Sequence, residues 1–487
     1  MVGAKIDSQG IIIDESRHED HEPGITCVCS IGSSDFDRLS GGKLVPFKNI
    51  VWVEVGDNQS VEVTYVVEKA SEVAIHTVVA DVSPSDRVAE VNSKALATKL
   101  MNLAYADSEP HKSVVVFLNP HSGQGKAHKF YTHQVEPVLK AARYRVELVN
   151  TTYSGHATDY MREMDIEKYD GVICASGDGI PHEVVNGLYQ RTDRAEAFTK
   201  LFVCQAPCGS GNAMSLSCLG TLNPGLAALE IVKGHVVRAD LMAVCNSRGL
   251  SKLSFLSQTF GIIAEADIGT EWMRFVGQAR FDIGVAVKVF TKTQFPCKIA
   301  VKRITNNKQE LADHYRERYS QPPSTNVPLT ATSFELNSFE ADHNFDEDHL
   351  PSGWEWLDEK VTDNLAIFYT GKMPFISKDV NFFPAALPND GSIDMIVFDG
   401  RSNIISTADA LLNLNKGKHI WKKDIDHIKV ESYRLIPKLA PGRKSYISID
   451  GENSPVEPIQ AEILHGVLKT IMTGGRFKES GFMDKIR

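Results

Sequence analysis

The chain carries a glycine-rich segment at residues 175–187, Ala175-Ser176-Gly177-Asp178-Gly179-Ile180-Pro181-His182-Glu183-Val184-Val185-Asn186-Gly187. The short apolar run before it predicts a buried strand, and Pro181 followed by an apolar face predicts a helix. The glycines let the backbone approach a ligand closely, and the N-terminus of the helix offers free N–H groups that suit a phosphate. Asp178 stands between two glycines. It is either a cap of the helix or a carboxylate that acts on the ligand.

Two further glycine-rich segments follow predicted strands in the same way. Residues 119–126 come after the apolar run 114–118, and residues 209–212 come after the run 201–204. Strands that alternate with helices predict a parallel, doubly wound sheet, and such sheets bind ligands beyond the carboxyl ends of their strands. We therefore expect the three segments to converge on one crevice that binds the phosphates of a nucleotide.

Changes of pattern divide the 487 residues into regions. Residues 1–40 are polar and we expect them to be poorly ordered, whereas residues 41–110 predict a small β-rich module. Residues 111–240 predict a doubly wound α/β nucleotide-binding domain, and residues 241–487 an antiparallel β-rich, β-sandwich-like domain. A polar and acidic stretch at residues 305–360 interrupts the last domain, and we expect a mobile insertion there.

The composition excludes several classes of protein. A formal net charge of −10 gives no electrostatic support for a nucleic-acid partner. The eight cysteines form no Cys-x-x-Cys pair, so we expect reduced thiols and neither a disulfide framework nor a zinc site. No apolar run is long enough for a membrane span, and residues 1–30 contain no signal-peptide core. We expect a cytoplasmic protein whose membrane contact is peripheral.

The first glycine-rich segment departs from the Walker phosphate-binding loop. Pro120 stands where the first Walker glycine would be, and Ala127 follows Lys126 where a serine or threonine would hold magnesium. The segment is therefore either a different phosphate loop or a plain turn. In the third segment, Ser210 and Asn212 add hydrogen-bonding side chains to a glycine-rich backbone that can bind an anion.

Together the three segments resemble the lipid-kinase family that shares the diacylglycerol kinase catalytic domain. The resemblance is carried by the residues from Leu118 to Ala127, from Ser176 to Leu188 and from Gly209 to Ala213. The run His182-Glu183-Val184-Val185-Asn186-Gly187-Leu188 resembles sphingosine (sphingoid long-chain base) kinases in particular. Residues 260–267, Arg274, Arg280 and the segment Asp450-Gly451-Glu452 extend the resemblance over residues 111–460.

The resemblance implies transfer of a phosphate from ATP, with Mg²⁺, to the primary hydroxyl of a sphingoid long-chain base. Asp178 then corresponds to the catalytic base, and Asp178 and Glu452 to the contacts with magnesium. Asp267, Ser176 and Gly261 correspond to the substrate site, where Asp267 reads the amine and hydroxyl of the base. The expected ATP contacts are Asn119, Pro120, Ser122, Gly123, Gly125, Lys126, Thr151, Ser176, Gly177, Gly179, Gly209, Ser210, Gly211, Asn212, Arg274, Arg280 and Glu452.

Without the resemblance, several of these residues have an ordinary structural explanation. Asp267 is then a surface acid, and Arg274 and Arg280 belong to a solvated helix face. Apolar residues at 253–263 and 281–289 either form the pocket for the lipid tail or belong to the core.

Some positions depart from the family pattern or leave two alternatives open. Ser122 and Gln124 replace the glycine and lysine often found in the first loop, so we expect its contacts with phosphate to differ. Cys208 replaces an alanine, a change that we expect to be tolerated. The segment from Pro388 to Asp394 contains an Asp-Gly turn, which either holds a magnesium-linked network or is a type I′ hairpin.

Two alternative functions stay open at the level of the sequence. One is a kinase of a neutral lipid, diacylglycerol or ceramide; the other is a non-catalytic lipid sensor on the same fold. Asp267 suits an amine better than a neutral headgroup, and the presence of Asp178 and Glu452 argues against a sensor. No membrane-anchoring patch stands out, although the N-terminal module is one candidate, and a homodimer is neither indicated nor excluded.

Overall fold

The structure is a computed structural model that describes residues 2–14, 43–57, 60–69, 72–81, 89–106, 108–246, 249, 251–269, 291–321, 328–336, 345, 350–440 and 442–485. Within these ranges the strands are β1 (Val2–Ile6), β2 (Gly10–Asp14), β3 (Lys43–Pro46), β4 (Ile50–Val55), β5 (Val61–Lys69), β6 (Glu72–Asp81), β7 (Ser113–Leu118), β8 (Arg145–Asn150), β9 (Gly171–Ser176), β10 (Phe202–Pro207), β11 (His235–Asn246), β12 (Ser251–Ser254), β13 (Ser257–Gly261), β14 (Cys297–Thr305), β15 (Glu355–Trp356), β16 (Leu365–Gly371), β17 (Ile393–Asp399), β18 (Ile425–Pro437), β19 (Ile447–Ile449), β20 (Glu452–Ser454) and β21 (Ile459–Met472).

The helices that the structure describes lie between these strands. They are α1 (Ala89–Tyr105), the short turn α2 (Ser122–Gly125), α3 (Ala127–Phe130), α4 (Glu136–Ala141), α5 (His156–Glu163), α6 (Gly179–Tyr189), α7 (Arg194–Lys200), α8 (Ala213–Leu219), α9 (Pro224–Lys233), α10 (Ile262–Asp267), α11 (Lys308–Ser320), α12 (Glu359–Thr362) and α13 (Ile404–Leu412). A π-helical turn, Tyr131–Val135, joins α3 to α4. The strands form three separate sheets.

The first sheet has the strand order β3-β2-β1-β6-β5-β4 and is antiparallel except where β1 runs parallel to β6. Helix α1 packs against β4, where the Tyr105 hydroxyl donates a hydrogen bond to the Val51 carbonyl at 2.7 Å. Residues 2–14, which we expected to be poorly ordered, form β1 and β2 because alternate residues such as Ile11 and Ile13 are buried. Residues 15–42 lie outside the described part.

The second sheet is parallel, with the order β10-β9-β7-β8, and confirms the prediction of a doubly wound α/β domain. All residues of β7, β9 and β10 are buried, which explains their continuous apolar runs. Helices α4 and α9 pack against each other, and so do α5 and α6. Right-handed crossovers place these two pairs on opposite faces of the sheet.

The strand order of this sheet reverses between β7 and β9. The chain adds β8 on one side of β7, then adds β9 and β10 on the other side. Open α/β sheets bind their ligands at such a reversal, beyond the carboxyl ends of the strands. The two loops at the reversal are the first and second glycine-rich segments, so the topology itself selects them as the binding site.

The third sheet forms the second domain and confirms the predicted antiparallel β-rich architecture. Its order is β12-β11-β21-β18-β17-β16-β13-β19-β20, and β14 and β15 attach beside β18. The apolar patterns predicted most of these strands. Strand β21 was not predicted, yet it pairs with β11 along most of its length and lies beside β10 of the α/β domain.

The expected mobile insertion at residues 305–360 contains regular structure. Helix α11 is capped by Asn307, whose side chain accepts hydrogen bonds from two N–H groups of the first turn. Leu311 and Tyr315 of this helix are buried. The acidic residues 346–348 lie outside the described part of the chain.

Among the described helices, no single one is long and apolar enough to cross a membrane. The pair α8 and α9 passes the same test by length and composition, but it is bent by 49° at the break. Every residue of α8 is buried inside the protein, as are most residues of α9.

Candidate active site

The three glycine-rich segments lie against one another at the carboxyl ends of β7, β9 and β10, as the sequence predicted. The Gly177 N–H donates a hydrogen bond to the Ser122 hydroxyl at 3.1 Å, which joins the first two segments. A Cβ atom on Gly209 would overlap the backbone of Gly177, so the second and third segments touch without side chains between them. The result is a crevice walled largely by main chain, a surface suited to phosphate groups.

The first segment turns through left-handed backbone conformations. The φ angles of Gly123, Gln124 and Gly125 are +58°, +58° and +78°. At Gly123 a Cβ atom would also lie 2.5 Å from the Cys208 carbonyl oxygen, so both backbone conformation and space require glycine. Gln124 adopts the same conformation with a side chain, which is exposed, as is that of Lys126.

Asp178 immediately precedes α6, which begins at Gly179 and so starts two residues before Pro181. The side chain of Asp178 makes no capping hydrogen bond to α6. Instead, its Oδ1 atom accepts hydrogen bonds from the Ala213 N–H at 2.9 Å and from the Gln205 side-chain amide at 3.1 Å. Of the two alternatives left by the sequence, the structure therefore excludes a cap of the following helix.

The surroundings of Asp178 also change its affinity for a proton. The side chain is only partly exposed, and burial raises its pKa from 3.8 to about 6, although the hydrogen bonds from Ala213 and Gln205 act in the opposite direction. A Cβ atom on Gly211 would lie 2.8 Å from Oδ2, so this second oxygen faces the third glycine-rich segment. At neutral pH the carboxylate is ionised and can accept a proton.

Glu452 approaches the same end of α6 from the second domain. It opens strand β20 and is exposed. A Cβ atom on Gly179 would lie 3.7 Å from its Oε1 atom, so the carboxylate lies beside the residue that follows Asp178. The structure thus brings to one helix end the two carboxylates that the sequence assigned to magnesium.

The position of Glu452 is fixed by Asp450, whose role the sequence analysis did not predict. Asp450 has a φ angle of +52° and Gly451 one of +85°, which form the tight turn between β19 and β20. The buried carboxylate of Asp450 accepts hydrogen bonds from the Ser254 hydroxyl (2.7 Å), the N–H groups of Phe255 (3.1 Å), Leu256 (3.0 Å) and Ser257 (2.9 Å), and His182 Nδ1 (2.9 Å). Because His182 lies one turn after Asp178 on α6, this carboxylate connects the turn to α6.

A second polar contact joins α6 to the second domain. The Asn186 side-chain amide donates to the Leu253 carbonyl at 2.9 Å, and its oxygen accepts from the Leu253 N–H at 2.9 Å. Asn186 therefore pairs with the edge of β12 as another strand would. Spacing offered a signal for both contacts, since His182 and Asn186 lie four residues apart and share a face of the helix.

Asp267 ends helix α10 and points to the same hairpin of the second domain. The Ser448 hydroxyl of β19 donates to its Oδ2 atom at 3.1 Å. Tyr369 lies close by: burial raises the pKa of its hydroxyl, and the charges of Asp267, Asp450 and Asp178 raise it further. Tyr369 is therefore within electrostatic reach of all three carboxylates, a relation that the sequence analysis missed.

The other predicted residues occupy different environments. Thr151 is buried and its N–H donates to the Leu118 carbonyl at 2.9 Å, which places it beside the end of β7. The side chain of Asn212 bonds both main-chain groups of Gly209, so it shapes the third segment. Gly261 has a φ angle of +96° and packs closely on β16. The residues predicted from Arg274 to Val289 lie outside the described residues.

The Asp-Gly turn at residues 388–394 is not the type I′ hairpin that was one of its two predicted alternatives. Asp390 does not share the positive φ of Gly391, as a type I′ turn would require. Its buried carboxylate is bound by two ammonium groups, those of Lys372 and Lys429, both at 2.8 Å. Within the residues that the structure describes, no group of three or more His, Cys, Asp or Glu side chains is arranged to hold a metal ion.

Comparisons with known proteins agree with this geometry. Residues 113–244 match the family described as the diacylglycerol kinase catalytic domain. The fold is also that of a solved structure from Bacillus anthracis str. Sterne assigned to the diacylglycerol kinases, with a TM-score of 0.51 and 21% identity, covering 75% of this chain and 96% of that chain. The matched family model and the fold therefore assign residues 113–244 to the class built on the diacylglycerol kinase catalytic domain.

Curated relatives narrow this class. The chain is 35% identical to "Sphingoid long chain base kinase 4" of Schizosaccharomyces pombe, covering 91% of this chain and 90% of the relative. It is 40% identical to "Sphingoid long chain base kinase 5" of Saccharomyces cerevisiae over 80% of this chain, although it spans only 63% of the length of that relative. The chain belongs to the sphingoid long-chain base kinase family.

Proposed function

We propose that the protein is an ATP-dependent kinase that phosphorylates the primary hydroxyl of sphingosine or a related sphingoid long-chain base. The observation that carries the proposal is the carboxylate of Asp178. It lies at the reversal point of the parallel sheet, among three glycine-rich segments, with a pKa raised to about 6. The family to which the chain belongs supplies the substrate class.

In this proposal, the glycine-rich crevice binds the phosphates of ATP. The N-terminus of α6 begins within the crevice, so its free N–H groups and the positive end of its dipole favour an anion there. Ser122 and Gly177 hold the first two loops together by their hydrogen bond, which organises the crevice before ATP arrives. Arg274 and Arg280, outside the described residues, stay proposed contacts with the phosphates.

Asp178 acts as the general base. The hydroxyl oxygen of the lipid attacks the γ-phosphorus, the bond to the β,γ-bridging oxygen breaks, and the hydroxyl proton passes to the Asp178 carboxylate. A pKa of about 6 keeps the carboxylate ionised at neutral pH, yet makes it more basic than an ordinary aspartate. The hydrogen bonds to Oδ1 hold the side chain in place and leave Oδ2 for the substrate.

Magnesium is part of this proposal, and the donor set fits it. Mg²⁺ usually takes one or two protein carboxylates and completes its shell with water and substrate phosphates. The carboxylates of Asp178 and Glu452 flank Gly179 and would hold the ion there. When bound, the ion neutralises charge on the transferring phosphate.

Asp267 is the proposed partner of the substrate amine. A sphingoid base is a cation at neutral pH, and an anionic side chain near the reacting centre distinguishes it from a neutral lipid. Asp267 is oriented by Ser448, on the hairpin that also carries Asp450 and Glu452. One rigid hairpin thus connects the site for the amine with the site for the metal.

Parallel assays of phosphate transfer from ATP to sphingosine, diacylglycerol and ceramide test the proposal. We expect transfer to sphingosine, reduced about a hundredfold or more by Asp178→Asn and unchanged by Asp379→Asn, which alters an exposed acid. Preference for a neutral lipid would overturn the substrate class and the role of Asp267. Binding of ATP without transfer to any of the lipids would favour a lipid sensor.

We also propose that the kinase works at the cytoplasmic face of a membrane. All six cysteines with described side chains are free and buried, which agrees with a reducing compartment. The proposed substrate partitions into bilayers, so the enzyme has to meet it at a membrane surface. Fractionation of cells that express the tagged chain would contradict this proposal by recovering it only from a lumenal or extracellular fraction.

A further inference from the structure

Helix α13 presents two strongly exposed apolar side chains to solvent. Ile405 is 76% exposed and Leu412 is 82% exposed, the two highest values among the large hydrophobic residues that the structure describes. Tyr153 comes next, at 54%. Ile405 and Leu412 are seven positions apart, so they lie on one face of the helix, two turns from each other.

The helix itself is firmly held, so this exposure is not the result of a frayed end. Asn403 caps the first turn through its side chain, which accepts a hydrogen bond from the Ile405 N–H at 2.9 Å. The Lys422 ammonium group bonds the Ser406 carbonyl at 3.0 Å and the Asp409 carboxylate at 2.7 Å. Ala410 is buried on the opposite side of the helix. The outer apolar face is therefore a fixed feature of the surface.

Several basic residues lie close to α13 in the sequence. Between residues 401 and 423 the sequence contains five lysine or arginine residues and one acidic residue, although Arg401 and Lys422 are paired with the carboxylates of Asp399 and Asp409. The side chains of Lys416, Lys418 and Lys423 are exposed. Exposed apolar residues next to lysines are the combination that binds the interface of a negatively charged bilayer.

The helix also shares a core with the proposed lipid site. Ala410 and the residues Leu414 and Ile420 that follow the helix belong to the same buried apolar cluster as Ile262 and Ile263 of α10. Helix α10 ends at Asp267, the proposed partner of the substrate amine. A surface anchored through α13 would therefore be rigidly connected to the site that receives the lipid.

We infer that the outer face of α13 and the adjoining lysines are the surface with which this protein docks on an anionic membrane. The inference rests on the proposed function, because a kinase of sphingoid bases takes its substrate from a bilayer. Two apolar side chains are far too few for a stable protein interface, which buries about 800 Å² on each partner. They suffice for a reversible membrane contact when cations next to them interact with anionic headgroups.

Sedimentation of the full chain with lipid vesicles tests the inference. The vesicles contain phosphatidylcholine, with or without phosphatidylserine. We expect binding to the anionic vesicles, reduced about tenfold or more by the double variant Ile405→Ser/Leu412→Ser. The triple variant Lys416→Gln/Lys418→Gln/Lys423→Gln should lose a similar factor and much of the salt dependence. Ile304→Ser, which alters an exposed apolar residue on β14, is the matched control.

Detergent-solubilised sphingosine separates docking from catalysis. We expect the double variant to retain wild-type turnover on this substrate while losing activity on vesicle-borne sphingosine. Equal losses on both substrates would show that α13 serves the lipid site, and unchanged vesicle binding would exclude the docking surface. If the wild-type protein is a dimer and the double variant is a monomer with unchanged vesicle binding, the partner that binds α13 is a second copy of the chain and not a membrane. If the wild-type protein binds vesicles through α13 but phosphorylates no lipid, the proposed function is wrong and the inference of a membrane-docking surface is retained.

Discussion

Asp178 combines an ordinary side chain with an unusual environment. The glycines on either side of it allow three loops to approach within van der Waals contact, and this crowding removes water from the carboxylate. Desolvation raises its pKa from 3.8 to about 6, whereas a freely solvated aspartate would be a much weaker base. The same close packing thus forms the phosphate crevice and tunes the residue proposed to accept the proton.

The first prediction concerns the dependence of activity on pH. The base must be ionised to accept a proton, so kcat/KM for sphingosine should fall on acidification, with the midpoint near pH 6. A pH profile measured with Asp267→Asn serves as the control, because that variant should raise KM and keep the acidic midpoint. A midpoint near pH 4 in both proteins would show that Asp178 is not the titrating base.

The second prediction is that Asp178→Asn stabilises the protein at neutral pH. A raised pKa means that the folded state favours the protonated acid. The contribution of Asp178 to the free energy of unfolding is therefore fully present below pH 3.8 and is lost as the pH rises through 6. The ionised carboxylate at pH 7 should therefore cost about 2–3 kcal/mol, which asparagine removes while its oxygen still accepts the hydrogen bonds. Urea denaturation should show this gain in the free energy of unfolding at pH 7 and a smaller gain at pH 5. A loss of stability at both pH values would contradict the burial of charge at this site.

At the scale of single residues, the sequence predicted what depends on local spacing. Asp178 could be identified as a candidate site residue, because two glycines after a strand let the backbone approach a ligand closely. The role of Asp450 and the position of Tyr369 near three carboxylates were not identifiable, because their partners lie in other regions of the chain and no short motif records such contacts. His182 gave a weak signal through its position one helical turn after Asp178.

The hairpin of β19 and β20 is the element that brings the second domain to α6. Asp450 accepts five hydrogen bonds in the turn of this hairpin, and Asp267 reaches its β19 strand through Ser448. Glu452 opens the β20 strand. The hairpin therefore sets the distance between the proposed metal contact and the proposed amine contact.

The third prediction tests this element through Asp450. Asp450→Ala leaves buried N–H and hydroxyl donors without an acceptor, so it should lower the free energy of unfolding by about 3 kcal/mol or more. Asp450→Asn keeps one acceptor oxygen, and we expect a smaller loss of stability together with weaker ATP binding, since Glu452 is then less well placed. Thermal denaturation and nucleotide titration measure the two effects, with Asp379→Asn as the exposed control. Unchanged ATP affinity in a folded Asp450→Asn variant would contradict the proposed contact of Glu452 with the nucleotide.

Strands and helices were predictable from the sequence where neighbouring residues alone determine them. The buried strands β7, β9 and β10 read as continuous apolar runs, and each is followed by a glycine-rich segment. Strand β21 escaped prediction, because its partners β11 and β18 lie far away in sequence and its buried residues do not alternate along its whole length. Helix α11 was hidden by polar composition: only a few of its residues, such as Leu311 and Tyr315, are buried.

At the scale of the whole molecule, a cluster of buried charges joins the central strands of the second domain. Lys372 bonds Asp240 of β11 at 2.9 Å and Asp390 at 2.8 Å. Lys429 of β18 bonds Asp390 at 2.8 Å and Asp394 of β17 at 2.9 Å. Although burial alone would raise it, the two ammonium groups hold the pKa of Asp390 well below its usual range. The two lysines thus supply the positive charge that balances these buried carboxylates.

The cluster also reaches beyond the sheet. His314 of α11 bonds Asp390 at 3.0 Å, and the Gly466 N–H of β21 donates to Asp240 at 2.8 Å. Strand β21 in turn contacts the α/β domain, where the Thr470 hydroxyl donates to the Val203 carbonyl of β10 at 2.7 Å. The buried charges therefore belong to one continuous set of contacts that extends from α11 to the nucleotide-binding sheet.

The fourth prediction follows from the lysines that balance the charge of this cluster. Addition of EDTA should abolish phosphate transfer, because the proposed reaction needs Mg²⁺, and should leave the melting temperature of the nucleotide-free protein unchanged. Lys429→Met should lower the free energy of unfolding by about 3–5 kcal/mol, since it leaves Asp390 and Asp394 short of a buried counter-charge. Lys378→Met, at an exposed position, is the matched control and should change stability very little. A fall in melting temperature with EDTA alone would instead mean that a bound metal stabilises the fold, and the charge balance of the second domain would then have to include it.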